Sequence, residues 1–535
     1  MTDNIDSIIS PEQKAVWKKV KDTSPLAQLH RRFWLQGEYK DKLLGVHKGV
    51  HKDRAEEGED DDDDDGDDDI GPECHILDIG IPDLEVTKFW VRKEYFRMYK
   101  QCDHHLETMR NAMKSPSQII IGQPGIGKSC WILYALCRRL VERKPVMWYR
   151  DSIMYLFVSD GVYEATENPR STLFKTRVWT LVDADGDSIF PPPLGQPGVN
   201  YLHIFTTSPK WDQWKRLTKT TSCAFAIMNP WTRAEISAAA PIHGFAASDP
   251  AVDEMYSRFG PTPRICFDLL KMPSRLNVHK DRFESVLSNL SSRTLQEMVH
   301  GALILKFDDV THTILLLKRR GNDLSRALVV VELITLDVEM ALRNQLRKET
   351  QAERLALYRS LANLEAARRL AGVVYESLAQ EKLQQQNPIE LHIFPMIKKR
   401  PEGSGKGEKL PRWYSNHGDG ADPSSVQSIN IRRTDNDVFS SMPKLIKDNI
   451  YYAPQSPNEV AFHSFIMDNE RLFIFQFTIA SYDEIENGIL ASFSQDSLPY
   501  FVFGVPPTLS EVSCPELKGS LEGVKLYSVV VDPEA

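Results

Sequence analysis

The stretch IIIGQPGIGKSC, residues 119–130, constrains this chain more than any other. An apolar run leads into a glycine-rich turn, and the turn opens SCWILYALCRRL, whose apolar spacing is that of a buried helix. Gly122, Gln123, Pro124, Gly125, Ile126, Gly127, Lys128 and Ser129 complete the GxxxxGK[ST] pattern between a strand and a helix. Glycines at these places let successive backbone N–H groups close around an anion, and the helix N-terminus adds its dipole. Lys128 is then expected to reach the β- and γ-phosphates of a nucleotide, and the Ser129 hydroxyl to ligate Mg²⁺. ATP with Mg²⁺ is the expected cofactor pair, although such a loop reads phosphates and not the base.

The flanking sequence alternates strand-like and helical runs: SQIIIG, the helix, PVMWYR, RVWTLVD, YLHIFTTS. Continuous apolar strands alternating with helices predict an α/β fold built on a parallel sheet covered on both faces. Asp183 closes the strand Val178 to Val182 and is the expected Mg²⁺-side carboxylate. Asp185 could orient or deprotonate the attacking water; it reads equally as a turn former. Thr207, at the end of the next strand, is a candidate sensor of the γ-phosphate or an ordinary strand exit. Lys215, Arg216 and Arg264 are candidate neutralisers of transition-state charge, or surface charges.

With 535 residues the chain exceeds what one core supports, so several domains are expected. Its net charge of −9 is dominated by residues 56–69, EEGEDDDDDDGDDD, which hold twelve acids; without them −9 becomes +3. That run repels itself and has nothing apolar to bury, so a disordered linker is expected, with a contact for basic partners such as histones or a mimic of nucleic-acid charge as alternatives. A near-neutral body permits nucleic-acid binding without requiring it. Seven scattered cysteines without a CxxC pair argue against a disulfide framework and a zinc site. No run of about 18 apolar residues occurs, so no spanning helix and no membrane partner are expected. The start, MTDNIDSIISPEQ, lacks a basic region followed by an apolar stretch, so nucleus or cytoplasm is expected, with a secreted effector still open.

The chain divides, on these patterns, into a charged helical segment (1–55), the acidic linker (56–69), the nucleotide-binding core (70–230), a helical lid (231–300), a connecting β/α segment (301–350) and a C-terminal domain (351–535). A helix is expected from Phe89 to Tyr99, strands in HTILLLKR and ALVVVELIT, and long helices within the proline-free span 274–387. Residues 400–425 read as a polar loop, and the chain beyond turns β-rich.

GQPGIGKS, WTLVDAD, FTTSP followed by Trp and basic residues, MNPWTRAE (228–235) and FGPTPR (259–264) occur in one order. That order resembles the retrotransposon-hot-spot and Crinkler-type NTPases, over roughly residues 90–535, and NEVAFHSFIM followed by LFIFQFTIA extends the likeness to the C-terminus. The resemblance implies an AAA-like (ASCE) P-loop NTPase with a helical lid, fused to an α+β restriction-endonuclease-like domain, often associated with nuclei and chromosomal DNA. Related ATPases form rings or dimers, so a homo-oligomer is an expected partner. In the implied nuclease frame, clustered acids hold Mg²⁺ against a phosphodiester. Glu376 matches the family's helix Glu, and Gln476 the first position of its last motif. Thr478 stands where the frame often has Lys, and His463 where it has the metal-binding Asp. Mg²⁺ prefers hard oxygen ligands, so His463 points to a weakened nuclease. Glu459 would share its strand face about 13 Å away, too far to substitute. Three functions stay open: an ATPase driving a nuclease-like, DNA- or chromatin-directed domain of weakened catalysis; a nucleotide-dependent signalling or effector switch for protein partners; and an active metal-dependent DNA nuclease.

Overall fold

The computed structural model describes residues 4–44, 74–81, 87–109, 115–184, 200–320, 329–384, 389–399, 412–416, 427–431, 435–454, 462–479 and 499–533, apart from short gaps within those ranges. The acidic run 56–69, Asp185 and Glu459 lie outside the described residues. The chain is mixed α/β and forms two compact units, Met1–Val286 with Met298–Leu336, and Leu287–Glu297 with Asp337–Ala535. The boundary thus falls inside the expected connecting segment 301–350. Residues 287–297 group with the second unit, where the Glu349 carboxylate accepts the Ser292 N–H at 2.8 Å.

The first unit is organised by an eight-stranded sheet. Its order is Trp17–Lys19, Gly161–Ala165, Ile153–Val158, Val146–Arg150, Val178–Asp183, Tyr201–Thr207, Pro116–Ile121, Ser222–Ile227. The last five are parallel, as the continuous apolar runs require, and the first three attach antiparallel. Every residue of Pro116–Ile121 and Tyr201–Thr207 is buried, which is the signature of a central strand covered on both faces. Helix Lys128–Val141 buries eleven of its fourteen residues, Trp131 and Tyr134 among them, so it is a core helix and not a surface one.

The N-terminal segment holds short helices, and its strand Trp17–Lys19 pairs with Gly161–Ala165 and extends the sheet of the first unit. Two expectations about local structure are corrected. The helix expected from Phe89 begins at Lys93: Lys88–Val91 is a strand paired with His75–Asp78, and alternating burial in KFWV mimicked one turn of helical spacing. Within 400–425, Arg412–Asn416 is a strand; the rest of that segment lies outside the described residues. The expected strands in HTILLLKR and ALVVVELIT are Leu315–Arg319 and Val329–Leu333, paired antiparallel. The helical span holds Pro273–Ser288, Ser292–Leu303, Leu336–Leu346, Gln351–Ala362 and Arg368–Gln384.

Tyr201–Thr207 carries a buried histidine with a measurable consequence. His203 is 1% exposed, and neither ring nitrogen has a hydrogen-bond partner among the described residues. Burial lowers its pKa to about 4. The unfolded chain therefore binds a proton that the folded chain refuses, so this contribution to stability is full above pH 6.5 and is lost as pH falls toward 4. The loss reaches about 3 kcal/mol at the bottom of that window. We predict that His203→Leu shallows the acid limb of a stability–pH curve between pH 6.5 and 4; an unchanged limb would show that His203 is not the group responsible.

The second unit is built on another eight-stranded sheet: Gln427–Ile431, Ile389–Pro395, Lys525–Val530, Tyr500–Val505, Arg471–Phe477, Ser464–Asp468, Ile450–Pro454, Asp435–Phe439. Arg471–Phe477, Tyr500–Val505 and Lys525–Val530 run parallel, while Ser464–Asp468 forms an antiparallel hairpin with Arg471–Phe477. A three-stranded sheet, Ile397–Lys399, Arg412–Asn416 and Glu511–Cys514, accompanies it. Tyr375, on helix Arg368–Gln384, is fully buried and donates its hydroxyl to Val531 O at 3.0 Å.

Candidate functional site

The glycine-rich turn leaves the end of Pro116–Ile121 and is fastened at once to the neighbouring strand, where Gly122 N–H donates to Thr207 O at 3.3 Å. Gly125 (φ +81°) and Gly127 (φ +95°) both adopt left-handed backbone. A Cβ on Gly125 would fall 2.8 Å from Arg264 Cβ, and one on Gly127 would collide with the Tyr95 hydroxyl. Conformation and space both demand glycine there. Lys128 is 1% exposed, and its ammonium donates to Gly122 O and Gln123 O at 3.0 Å each. The side chain folds back over the loop and pins its first two carbonyls. Ser129, the next residue, is exposed at the start of the helix. Gln123 is buried and donates to Leu315 O at 2.6 Å. Pro124 is half-buried and Ile126 fully buried.

Asp183 ends its strand half-buried, one strand removed from the loop strand, with Tyr201–Thr207 between them. In register it lies opposite Thr206, whose hydroxyl donates to Asp183 Oδ1 at 2.9 Å. That bond fixes the carboxylate. The Thr207 hydroxyl instead donates to Ser208 O at 2.9 Å. Thr206 is thus a site residue that the sequence reading missed, although alternation along the strand distinguishes it from its neighbour. Burial, with smaller contributions from the Asp183 and Asp268 carboxylates, pushes the Cys130 thiol up to about 12. That coupling puts the first turn of the loop helix and Asp183 in one electrostatic neighbourhood. Arg264 is exposed on Arg264–Leu269 and lies against Gly125, at the mouth of the loop. Lys215 is exposed on helix Trp211–Thr220; the Arg216 side chain lies outside the described residues.

The donor set fits a nucleotide with Mg²⁺. Gly125 and Gly127 hold the left-handed turn of the loop, the ammonium is held at the loop, and a hydroxyl and a carboxylate supply hard oxygen ligands. Ser129 and Asp183 are the residues that would hold the ion.

Behind the loop lies a buried ionic network. Arg92 pairs with Glu235 (2.7 Å) and Arg319 with Glu94 (2.7 Å), all four sequestered from water. Asn229 joins the two pairs: its carbonyl accepts from Arg92, its N–H donates to Glu94, and its Oδ1 accepts the Arg319 N–H. Burial pushes the Glu94 carboxyl upward, but Arg319 and then Arg92 outweigh it and hold the group below the usual carboxylate range. Glu235 also closes a capping box with Thr232, which starts helix Arg233–Ala239. MNPWTRAE is therefore a clasp around these charges.

In the second unit, Glu376 is 3% exposed on helix Arg368–Gln384. Its Oε2 accepts from Arg343, which also pairs with Glu339, and its Oε1 accepts from Gln380 at 3.2 Å. His463 Nε2 lies 3.6 Å from Glu376 Oε2, and His463 Nδ1 accepts the Phe477 N–H at 2.8 Å. Two of the four residues that the nuclease frame singled out, Glu376 and His463, do meet. His463 precedes strand Ser464–Asp468 instead of lying within it. Gln476, half-buried, is on Arg471–Phe477 opposite Phe503, and Thr478 is buried just beyond. These residues do not fit an open Mg²⁺ centre, because the carboxylate is already neutralised by a buried guanidinium. Among the described residues, no three His, Cys, Asp or Glu side chains come together in a way that could hold a metal ion.

No helix among the described residues is long and apolar enough to cross a membrane. No family model matches the chain. Crinkler effector protein 16 from Phytophthora infestans is 22% identical over 298 residues, spanning 54% of this chain and 45% of that protein. Crinkler effector protein 15 from the same organism is 21% identical over 299 residues, with 54% and 46% covered. The chain thus spans just under half the length of these curated relatives, and the identity supports a distant Crinkler-type relationship.

Proposed function

We propose that the first unit is a nucleotide-binding and hydrolysing module of the ASCE P-loop type that takes ATP with Mg²⁺. The observation that carries this reading is the placement of Asp183: across one interposed strand from the Lys128–Ser129 loop, with its carboxylate set by Thr206. Lys128 and the outward loop N–H groups bind the phosphates, Arg264 at the loop mouth meets negative charge, and the Asp183–Thr206 pair orients the metal-side oxygen. When bound, Mg²⁺ supplies Lewis-acid stabilisation of charge on the transferring phosphate. The second unit is the client of this cycle: a nuclease-like, DNA- or chromatin-directed domain in which Glu376 holds structure together and performs no metal chemistry. The effector role named in the Crinkler relatives is compatible with such a nucleotide-driven protein, alone or as a homo-oligomer.

The test is ATP and GTP turnover by the purified chain, with and without double-stranded DNA. Turnover raised by DNA supports the coupled reading, whereas turnover indifferent to DNA favours a nucleotide-state switch for protein partners. Absence of nucleotide binding would end both. Asp183→Asn is expected to keep ATP affinity within a few-fold while lowering kcat by about 10²-fold, since one charged oxygen ligand is lost at the developing charge. Equal losses in affinity and kcat would place Asp183 outside the metal side.

A further inference from the structure

We infer that Trp231 and Tyr95 are positioning residues of the phosphate cradle, which aim its anion-binding N–H groups by holding the carbonyls on the far side of the same peptide planes. The inference rests on the nucleotide-binding reading above and adds the residues that set the loop's geometry.

The argument begins with the peptide unit. In a trans-planar peptide the C=O of one residue and the N–H of the next point in opposite directions, so fixing the carbonyl fixes the amide. The Ile126 carbonyl accepts the Trp231 indole N–H at 2.8 Å, deep in the protein. The Gly127 N–H must then point away from Trp231. The Gly127 carbonyl accepts both the Tyr95 hydroxyl (2.7 Å) and the Trp131 N–H (2.9 Å), which directs the Lys128 N–H along the helix axis, out of the N-terminus. Two peptide planes of one short loop are thus held from behind.

Neither aromatic residue is free to drift. The Trp231 ring carries the Arg92 guanidinium 4.8 Å from its centroid, and Arg92 is itself locked in the buried pair with Glu235. The Trp231 backbone N–H donates to Pro261 O at 3.2 Å, tying this clasp to the FGPTPR segment whose Arg264 packs on Gly125. Tyr95 follows Glu94 of the second buried pair, and its carbonyl accepts the Trp131 indole N–H at 3.1 Å. Its hydroxyl occupies the place that a Cβ on Gly127 would take, so the residue also enforces the left-handed turn there. A preorganised set of donors is worth more to a bound anion than one that must reorient, because the ordering cost is met in folding. The buried network behind the loop is that investment.

Tyr95→Phe deletes one donor and keeps the ring, and Trp231→Phe deletes one donor and leaves a smaller aromatic ring in its place. The experiment measures MgATP binding by calorimetry and follows the Gly127 amide resonance of the ¹⁵N-glycine-labelled chain through the titration. Val162→Ala, a core substitution in strand Gly161–Ala165, serves as a control for general destabilisation. In the wild-type chain the Gly127 amide proton should move downfield on binding. Trp231→Phe should weaken MgATP about tenfold, equivalent to about 1.4 kcal/mol, and reduce that displacement. Tyr95→Phe should weaken binding several-fold, its effect blunted by the remaining Trp131 donor, and Val162→Ala should leave both readouts unchanged. Wild-type affinity and an undiminished Gly127 displacement in both Phe variants overturn the inference. If Trp231→Phe does not fold, Tyr95→Phe decides alone. Absence of MgATP binding by the wild-type chain overturns the nucleotide reading itself and this inference with it; binding that is insensitive to both variants overturns the inference only.

Discussion

Replacing Lys128 by alanine should abolish nucleotide hydrolysis, with turnover falling by about 10³-fold, the scale on which preorganised donors to developing charge act. Two losses combine. The ammonium that would sit on the β- and γ-phosphates is gone, and so are the donors to Gly122 O and Gln123 O that hold the start of the loop. Because the side chain is almost wholly buried, its removal also leaves two carbonyls and a gap behind the loop. Lys128→Arg separates these effects. It keeps the positive charge but offers a planar fork too large for the compact contact, so hydrolysis should stay low while part of the binding returns. The measurements are steady-state phosphate release and direct binding of MgATP for the three proteins. Turnover in Lys128→Ala close to that of the parent would remove the loop from the chemistry altogether.

What could be read from the sequence was what is local. The loop, its strand and its helix occupy residues 116–141 without interruption, and Asp183 ends an apolar strand that composition alone marks. The paired strands Leu315–Arg319 and Val329–Leu333 were likewise legible as two short apolar runs, one of leucine and one of valine. The hairpin Ile153–Ala165 was not read, although Asp160-Gly161 with Gly161 at φ +139° is a turn signal of the ordinary kind. The network behind the loop was illegible for a different reason: Arg92 meets residues 137 to 143 positions away, and Glu94 meets Arg319 across 225. Single buried charges look like surface charges until their partners are known. Tyr95 and Trp231 were hidden in the same way, since an aromatic residue in an apolar stretch reads as core until its polar edge is seen to have a target. Glu376 shows the reverse error. Its position on a helix was legible, but its partner Arg343, 33 residues away, decides what it does.

That partner supports the second large effect. Arg343→Ala should destabilise the second unit by about 3–5 kcal/mol, because it strands the Glu376 carboxylate in a site from which water is excluded. The burden falls on Glu376 more than on Glu339, which is more exposed and one helical turn from Arg343. Gln380 donates to Glu376 Oε1, and His463 approaches its Oε2, yet neither supplies the fixed charge of a guanidinium. Replacing both partners, as in Arg343→Met with Glu376→Leu, removes the uncompensated charge and should recover most of the loss. Denaturant unfolding resolved into its two transitions is the measurement, with the second unit's midpoint as the readout. A midpoint unchanged in Arg343→Ala would mean that the pair contributes nothing. A further variant, Glu376→Gln, tests the role of Glu376. If it is a structural anchor, the wild-type chain leaves DNA intact with Mg²⁺ or Mn²⁺, and Glu376→Gln alters stability alone. Metal-dependent cleavage by the wild-type chain that disappears in Glu376→Gln would instead make Arg343 a counter-ion that a bound metal must displace.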